Sequence, residues 1–207
     1  MDPDEKCGDP SGIVYRLHHH PDSPRRVVIT YVVLYTVDCG PLNGHLGDNE
    51  SFSITVDLDS RPGGTATVAA KTWAHANTVC ESVSSCTSQP GAAGCALTPP
   101  GESEPVVAIF ASRDKHAHYL FAGTCERNCA DHCAAGKRIT PSTTRLINAG
   151  EPEHAMVHDL SAGEGFVTVA RGWDARLLHH DPWSTGAFGG AGHIAKQLTT
   201  FLAATGD

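Results

Sequence analysis

The 207-residue sequence contains no apolar run approaching the roughly 18 residues that a membrane-crossing helix needs, so no span of that kind is expected. Its opening, MDPDEKCGDP, is acidic where an export leader would be basic and then apolar, and any leader is expected to have been removed. Basic residues are few and scattered: 15 Lys and Arg against 23 Asp and Glu leave a formal charge of −8. Nucleic-acid binding is driven by clustered cations that release counterions from phosphates, so a nucleic-acid partner is not expected. Internal repeats and low-complexity tracts are absent as well. With 40% hydrophobic residues and no break in composition, residues 1–207 read as a single domain with one sizeable core, expected to be a monomer.

Two residue types are plentiful. Thirteen histidines would carry the balance from −8 to −8 + 13 = +5 if all were protonated, so mildly acid surroundings can reverse the sign. Eight cysteines, an even number, fit an oxidising compartment where disulfides persist, and the protein is expected to be secreted. Cys80 to Cys95 bound a loop of small and polar residues, and Cys125, Cys129 and Cys133 recur every fourth residue, on one face if helical. A tetrahedral thiolate zinc site usually uses paired C-x-x-C elements, so these three and His132 read as disulfide partners of the Cys80–Cys95 loop rather than as metal ligands. A bond from Cys39 to Cys7 would pin the N-terminus beside Asp38, although eight cysteines allow 105 connectivities.

The pattern between the loops is one of strands. RVVITYVVLYTV, residues 26–37, is rich in β-branched and aromatic residues on both alternating faces, which predicts a central strand buried on both sides and ending at Asp38. SFSITVDLD alternates strictly, with Phe52, Ile54, Val56 and Leu58 on one face and Ser51, Ser53, Thr55 and Asp57 on the other, predicting a half-exposed strand. Further strands are expected at 65–73, 106–112, 145–148, 155–158 and 166–170, separated by Gly, Pro and Ser clusters. Ile194, Leu198, Phe201 and Leu202 fall at helical spacing and predict a C-terminal amphipathic helix over 192–204 that covers a core. The expected fold is mainly β: a β-sandwich with flanking loops and a C-terminal helix.

In GHLGDNESF, His45, Asp48 and Glu50 gather within six residues before a strand, and Asp38 closes the preceding one, so a hairpin is expected to bring all four together. Carboxylates with one imidazole suit a hard or borderline divalent ion: calcium or magnesium first, with manganese and zinc as the other candidates. The competing reading is a plain polar turn, since Gly44, Gly47 and Asn49 are ordinary turn residues.

GHLGDNE resembles the GHRHDWE heptapeptide of the necrosis- and ethylene-inducing-peptide-like proteins, secreted plant-toxic cytolysins with a β-sandwich, sharing the frame His-x-x-Asp-x-Glu. The resemblance implies a divalent cation held by His45, Asp48, Glu50 and the upstream Asp38. It also implies a later histidine near the metal, which His116 in ASRDKHAHY matches, with His118 next in order. A second resemblance is to a vacuolar-sorting-protein-like domain that pairs an H-x-G-D-x-E element with a later S-x-x-K-H-A-x-Y element; both occur here, as HLGDNE and SRDKHAHY. The segment HHDPWSTGAFGGAGHI is similar to the closing part of that group. Gly47 and Asn49 depart from the cytolysin heptapeptide, and the cysteine-rich loops are additional, so fold and metal carry over more readily than toxicity.

Other residues offer competing chemistry. Ser112, Asp114 and His116 are the residue types of a hydrolytic triad, but a spacing of two along an extended segment does not make them bond one another. His18–His20 and His179–His180 read as solvated loop. Trp73 reads as core at a strand end, while Trp73, His75 and His118 are the candidates for ligand contact, since an aromatic face beside polar groups suits a sugar. The functional expectation is a metal-dependent binder of glycolipid or carbohydrate, with peripheral membrane contact. The alternatives are a hydrolase in which Glu50, Asp48 or His116 acts on metal-bound water, or a purely structural ion.

Overall fold

The β-branched run that ends at Asp38 does become the central strand. The computed structural model describes residues 10–39, 45–58, 66–75, 79–87, 107–129, 131–133 and 146–148. Within them β2 (Ser23–Asp38) lies between β1 (Pro10–His20) and β3 (His45–Asp57), paired antiparallel to both. β4 (Ala66–Ala74) and β5 (Ser82–Thr87) continue the antiparallel sheet beyond β3, and the short β8 (Leu146–Asn148) runs parallel to β1 at the other side. β6 (Phe110–Ala111) and β7 (His118–Tyr119) form a separate two-stranded hairpin, followed by the single helical turn α1 (Ala122–Cys125). The fold is thus mainly β, and no helix among the described residues is long and apolar enough to cross a membrane.

Side chains opposite one another in an antiparallel pair share a face. On one face Val28, Thr30 and Val32 of β2 stand opposite Thr55, Ser53 and Ser51 of β3, and all six are buried. On the other, Ile54 and Ala70 pack beneath Leu120, Val107, Ile109 and Phe121, while Ala74 packs with Ala117, Tyr119, Cys125 and Cys133. The segment from Val107 to Cys133 therefore forms a second layer over β3 and β4. The alternation expected for β3 is present, but its polar side is the fully buried one and its apolar side only partly so, with Leu58 58% exposed. Small hydroxyls fit the closest-packed surface, where bulkier side chains would not.

Cys80, in the turn before β5, is bonded to Cys129, as expected of a link between the two cysteine-rich loops. Cys125 instead bonds Cys133 within its own loop, because only one turn of helix forms and the chain folds back. Cys39 and Cys86 are also disulfide-bonded. The histidine triplet was expected in a solvated loop but ends β1, with His18 and His20 buried and His19 exposed, as strand alternation requires. Of the strand expected over 106–112 only Phe110–Ala111 pairs. The strands expected at 155–158 and 166–170, the helix over 192–204, His179, His180, Trp183, Cys7 and Cys95 lie outside the described residues.

Candidate functional site

The register decides what the H-x-x-D-x-E motif can do. Asp48 pairs with Tyr35, Glu50 with Val33 and His45 with Asp38. Positions 48 and 50 share one face of β3, and a pleat of period two puts positions 38 and 45 out of phase with them. The hairpin alone therefore does not gather the four residues, as had been expected. The β6–β7 hairpin supplies the missing connection.

Its loop, residues 112–117, is closed by the Ser112 amide donating to the Ala117 carbonyl at 2.9 Å, and it turns through left-handed backbone at Asp114 (φ 71) and His116 (φ 57). Side chains rarely adopt that region, and at a packed site it is held only by surrounding contacts. Those contacts are visible. The Cys39 amide donates to the Asp114 carbonyl at 2.8 Å, fastening the loop to the end of β2, and the Arg113 amide donates to the His132 carbonyl at 2.7 Å. Consecutive residues of the loop then reach the two out-of-phase carboxylates. Lys115 Nζ donates to Asp38 Oδ2 at 2.8 Å, and His116 Nδ1 donates to Asp48 Oδ2 at 2.9 Å.

His116 is buried and stacks on the Tyr35 ring, centroids 3.9 Å apart and 4° from parallel. Because Nδ1 carries the proton that Asp48 accepts, Nε2 of the neutral ring bears a lone pair, and that buried atom has no hydrogen-bond partner. A carboxylate on one imidazole nitrogen is the arrangement that orients the other nitrogen toward a metal in many metalloproteins. Beneath it the Tyr35 hydroxyl donates to His118 Nε2 at 3.0 Å. Burial above all, and then the neighbouring His116, lower the His118 pKa to about 3, with the Ser51 carbonyl acting in the opposite direction. His118 is therefore a neutral acceptor in the interior.

Acidity concentrates beside this pair. Glu50 has its pKa raised well above the usual carboxylate value, first by loss of water and then by the charges of Asp48, Asp131 and Asp38. Tyr35 is raised too, by burial and then by Glu50 and Asp48, so its hydroxyl stays a donor. Asp131 was not anticipated. It comes from the disulfide-braced loop and accepts from His75 Nε2 at 2.6 Å and from the Tyr119 hydroxyl, while Asn128 joins Tyr119 to the Cys80 carbonyl. Its only signal in the sequence was its place between cysteines, which says nothing of where it points.

The expected site residues thus divide. Asp38, Asp48, Glu50 and His116 are brought to one end of the sheet; for His45 the backbone register alone is described. Among the described residues, no group of three or more His, Cys, Asp and Glu is arranged to hold an ion, the carboxylates of Asp38 and Asp48 being engaged by Lys115 and His116. The three residues expected to contact a ligand are placed otherwise. Trp73 is buried in the sheet, His118 is buried under Tyr35, and His75 is tied to Asp131. No triad forms: His116 bonds Asp48 rather than Asp114, and Ser112 Oγ is buried without a hydrogen-bond partner. No family model, no curated protein and no solved structure matches the chain.

Proposed function

We propose that this chain is a secreted, monomeric β-sandwich protein, its C-terminal helix covering the core. In this reading it uses a divalent cation, calcium or magnesium before manganese or zinc, to receive a carbohydrate or glycolipid head group at a target surface. Asp38, His45, Asp48, Glu50 and His116 would hold the ion. The observation that carries the reading is the meeting of His116 with Asp48, 68 residues apart, beside Glu50 and Asp38. The donor set fits such an ion: oxygen ligands dominate, and the buried Nε2 of His116 offers an unused lone pair. A bound ion would supply a positive centre on which sugar hydroxyls can coordinate. The protein's own part is to orient the imidazole through Asp48, to exclude water around Glu50 and to anchor the loop on β2. The composition of the GHLGDNE element, its resemblance to the cytolysin heptapeptide and the disulfides support the same reading.

The test is elemental analysis and calorimetry of purified protein beside Asp48→Ala and Glu50→Ala, followed by glycolipid liposome binding with and without chelator. Stoichiometric metal lost in both variants, with liposome binding abolished by chelation, is the expected result. Absence of metal after incubation with calcium, magnesium, manganese and zinc defeats the proposal. Chelation that lowers the melting temperature while leaving binding per folded molecule unchanged assigns the ion a structural role instead.

A further inference from the structure

The acidic cluster already contains a cation, and it belongs to the protein. Lys115 Nζ lies 2.8 Å from Asp38 Oδ2, with side-chain exposures of 26% and 8% for the two residues. This is no free-swinging surface pair. The loop that carries Lys115 is clamped to the end of β2 by the Cys39 amide on the Asp114 carbonyl, and its next residue is fixed on Asp48. Lys115 is thus delivered to one carboxylate by the same backbone that delivers His116 to the other.

We propose that Lys115 is an internal competitor for the divalent ion: it holds Asp38 while the ion is absent, and ion entry exchanges the ammonium–carboxylate contact for an ion–carboxylate one. The inference rests on the metal reading above and adds to it a residue that sets affinity. Its physical basis is charge. Asp38, Asp48, Glu50 and Asp131 lie within electrostatic reach of one another, and like charges at close quarters in a partly desolvated place repel strongly unless a cation is present. A tethered ammonium meets that need at a high effective concentration, and a divalent ion meets it better, with more than one carboxylate at once. The buried, unpartnered Nε2 of His116 marks the direction of the exchange, because lysine cannot use an acceptor nitrogen that is already without a proton donor in reach and a metal can.

Calcium and magnesium titrations of the full-length wild type, Lys115→Gln and Lys115→Arg at constant ionic strength test the exchange. Lys115→Gln is expected to tighten apparent Kd by about three- to tenfold, the order of one partly buried ion pair, and Lys115→Arg to stay near wild type. A second measurement needs no variant. Amine-reactive labelling of the wild type, read by mass spectrometry, should modify Lys115 faster at saturating calcium than in chelator, with buried Lys71 as the internal reference. Unchanged or weaker ion binding in Lys115→Gln, or labelling of Lys115 indifferent to calcium, overturns the inference alone, provided the wild type binds and Asp48→Ala does not. If neither wild type nor Lys115→Gln takes up an ion, the metal reading falls and the inference with it. Ion uptake by Lys115→Gln only would support both and show that the lysine dominates.

Discussion

Replacing His116 by alanine tests the keystone of the site in protein free of metal. The imidazole is 1% exposed, donates 2.9 Å to Asp48 and stacks 3.9 Å from Tyr35. A hydrogen bond to a charged group contributes about 1.5–3 kcal/mol, and a buried aromatic stack about 0.5–1.5 kcal/mol more. The expected loss is therefore about 3 kcal/mol, or roughly 6–12 °C in melting temperature for a domain of this size. Bulk packing could mimic that figure, so the decisive quantity is the coupling in a double-mutant cycle with Asp48→Asn, measured by urea unfolding in chelator. Coupling of about 1.5 kcal/mol or more is expected if the two side chains bond as described. His116→Asn, which tolerates left-handed backbone and keeps a donor, should recover part of the loss. Coupling near zero, with both single variants destabilised independently, would refute the reasoning and leave His116 as ordinary core.

Two further outcomes are expected. Glu50 has a raised folded-state pKa, so the folded state holds its proton more tightly than the unfolded chain does; the stabilisation this gives is complete below the ordinary carboxylate value of about 4.3 and is lost as pH rises through the raised one. Glu50→Gln in chelator should accordingly be more stable than wild type at pH 8 and gain little at pH 4, read from denaturant midpoints; equal gains at both pH values would count against a desolvated carboxyl. Removing Cys80–Cys129, which closes a separation of 49 residues, should cost about 4 kcal/mol, against about 2.5 kcal/mol for Cys125–Cys133 at a separation of 8, on the chain-entropy account. The reverse ranking in paired Cys→Ala variants would show that local packing, not loop closure, sets the cost.

The strands that the sequence made legible were those whose composition and period agree. Residues 26–37 are β-branched throughout, and residues 51–58 alternate without a break, so β2, β3 and most of β4 could be placed before any coordinates. β1 and β5 could not. In β1 the period is real, Ile13, Tyr15 and Leu17 against Val14, Arg16 and His18, but a charged residue and three histidines hide it. β5, SVSSCT, is built of small polar residues that resemble a loop until β4 supplies a partner. Alternation also reports only which residues share a face. It assigned Ser51, Ser53 and Thr55 correctly to one side of β3, yet which side is covered depends on what packs there, and the hydroxyl side is the buried one.

The site shows the same division between local and distant information. Asp48 and Glu50 were legible because a motif of six residues holds them, and Asp38 because it ends a strand. Their relation was not, since the pleat sets Asp38 and His45 out of phase with Asp48 and Glu50. What reconciles the two phases is a loop 68 residues beyond Asp48, in which successive side chains reach to different carboxylates: Lys115 to Asp38 and His116 to Asp48. Successive residues on extended backbone would point to opposite sides; left-handed turns at Asp114 and His116 bend the chain so that both meet the end of the same hairpin. That bend is held by the Cys39 and Arg113 amides, and through them by the strand end at a disulfide-bonded cysteine and by the loop that Cys125–Cys133 closes. The cysteines that were legible only as a sign of an oxidising compartment are thus also part of what aims the histidine. Any change that frees that loop should disturb the candidate site before it disturbs the sheet.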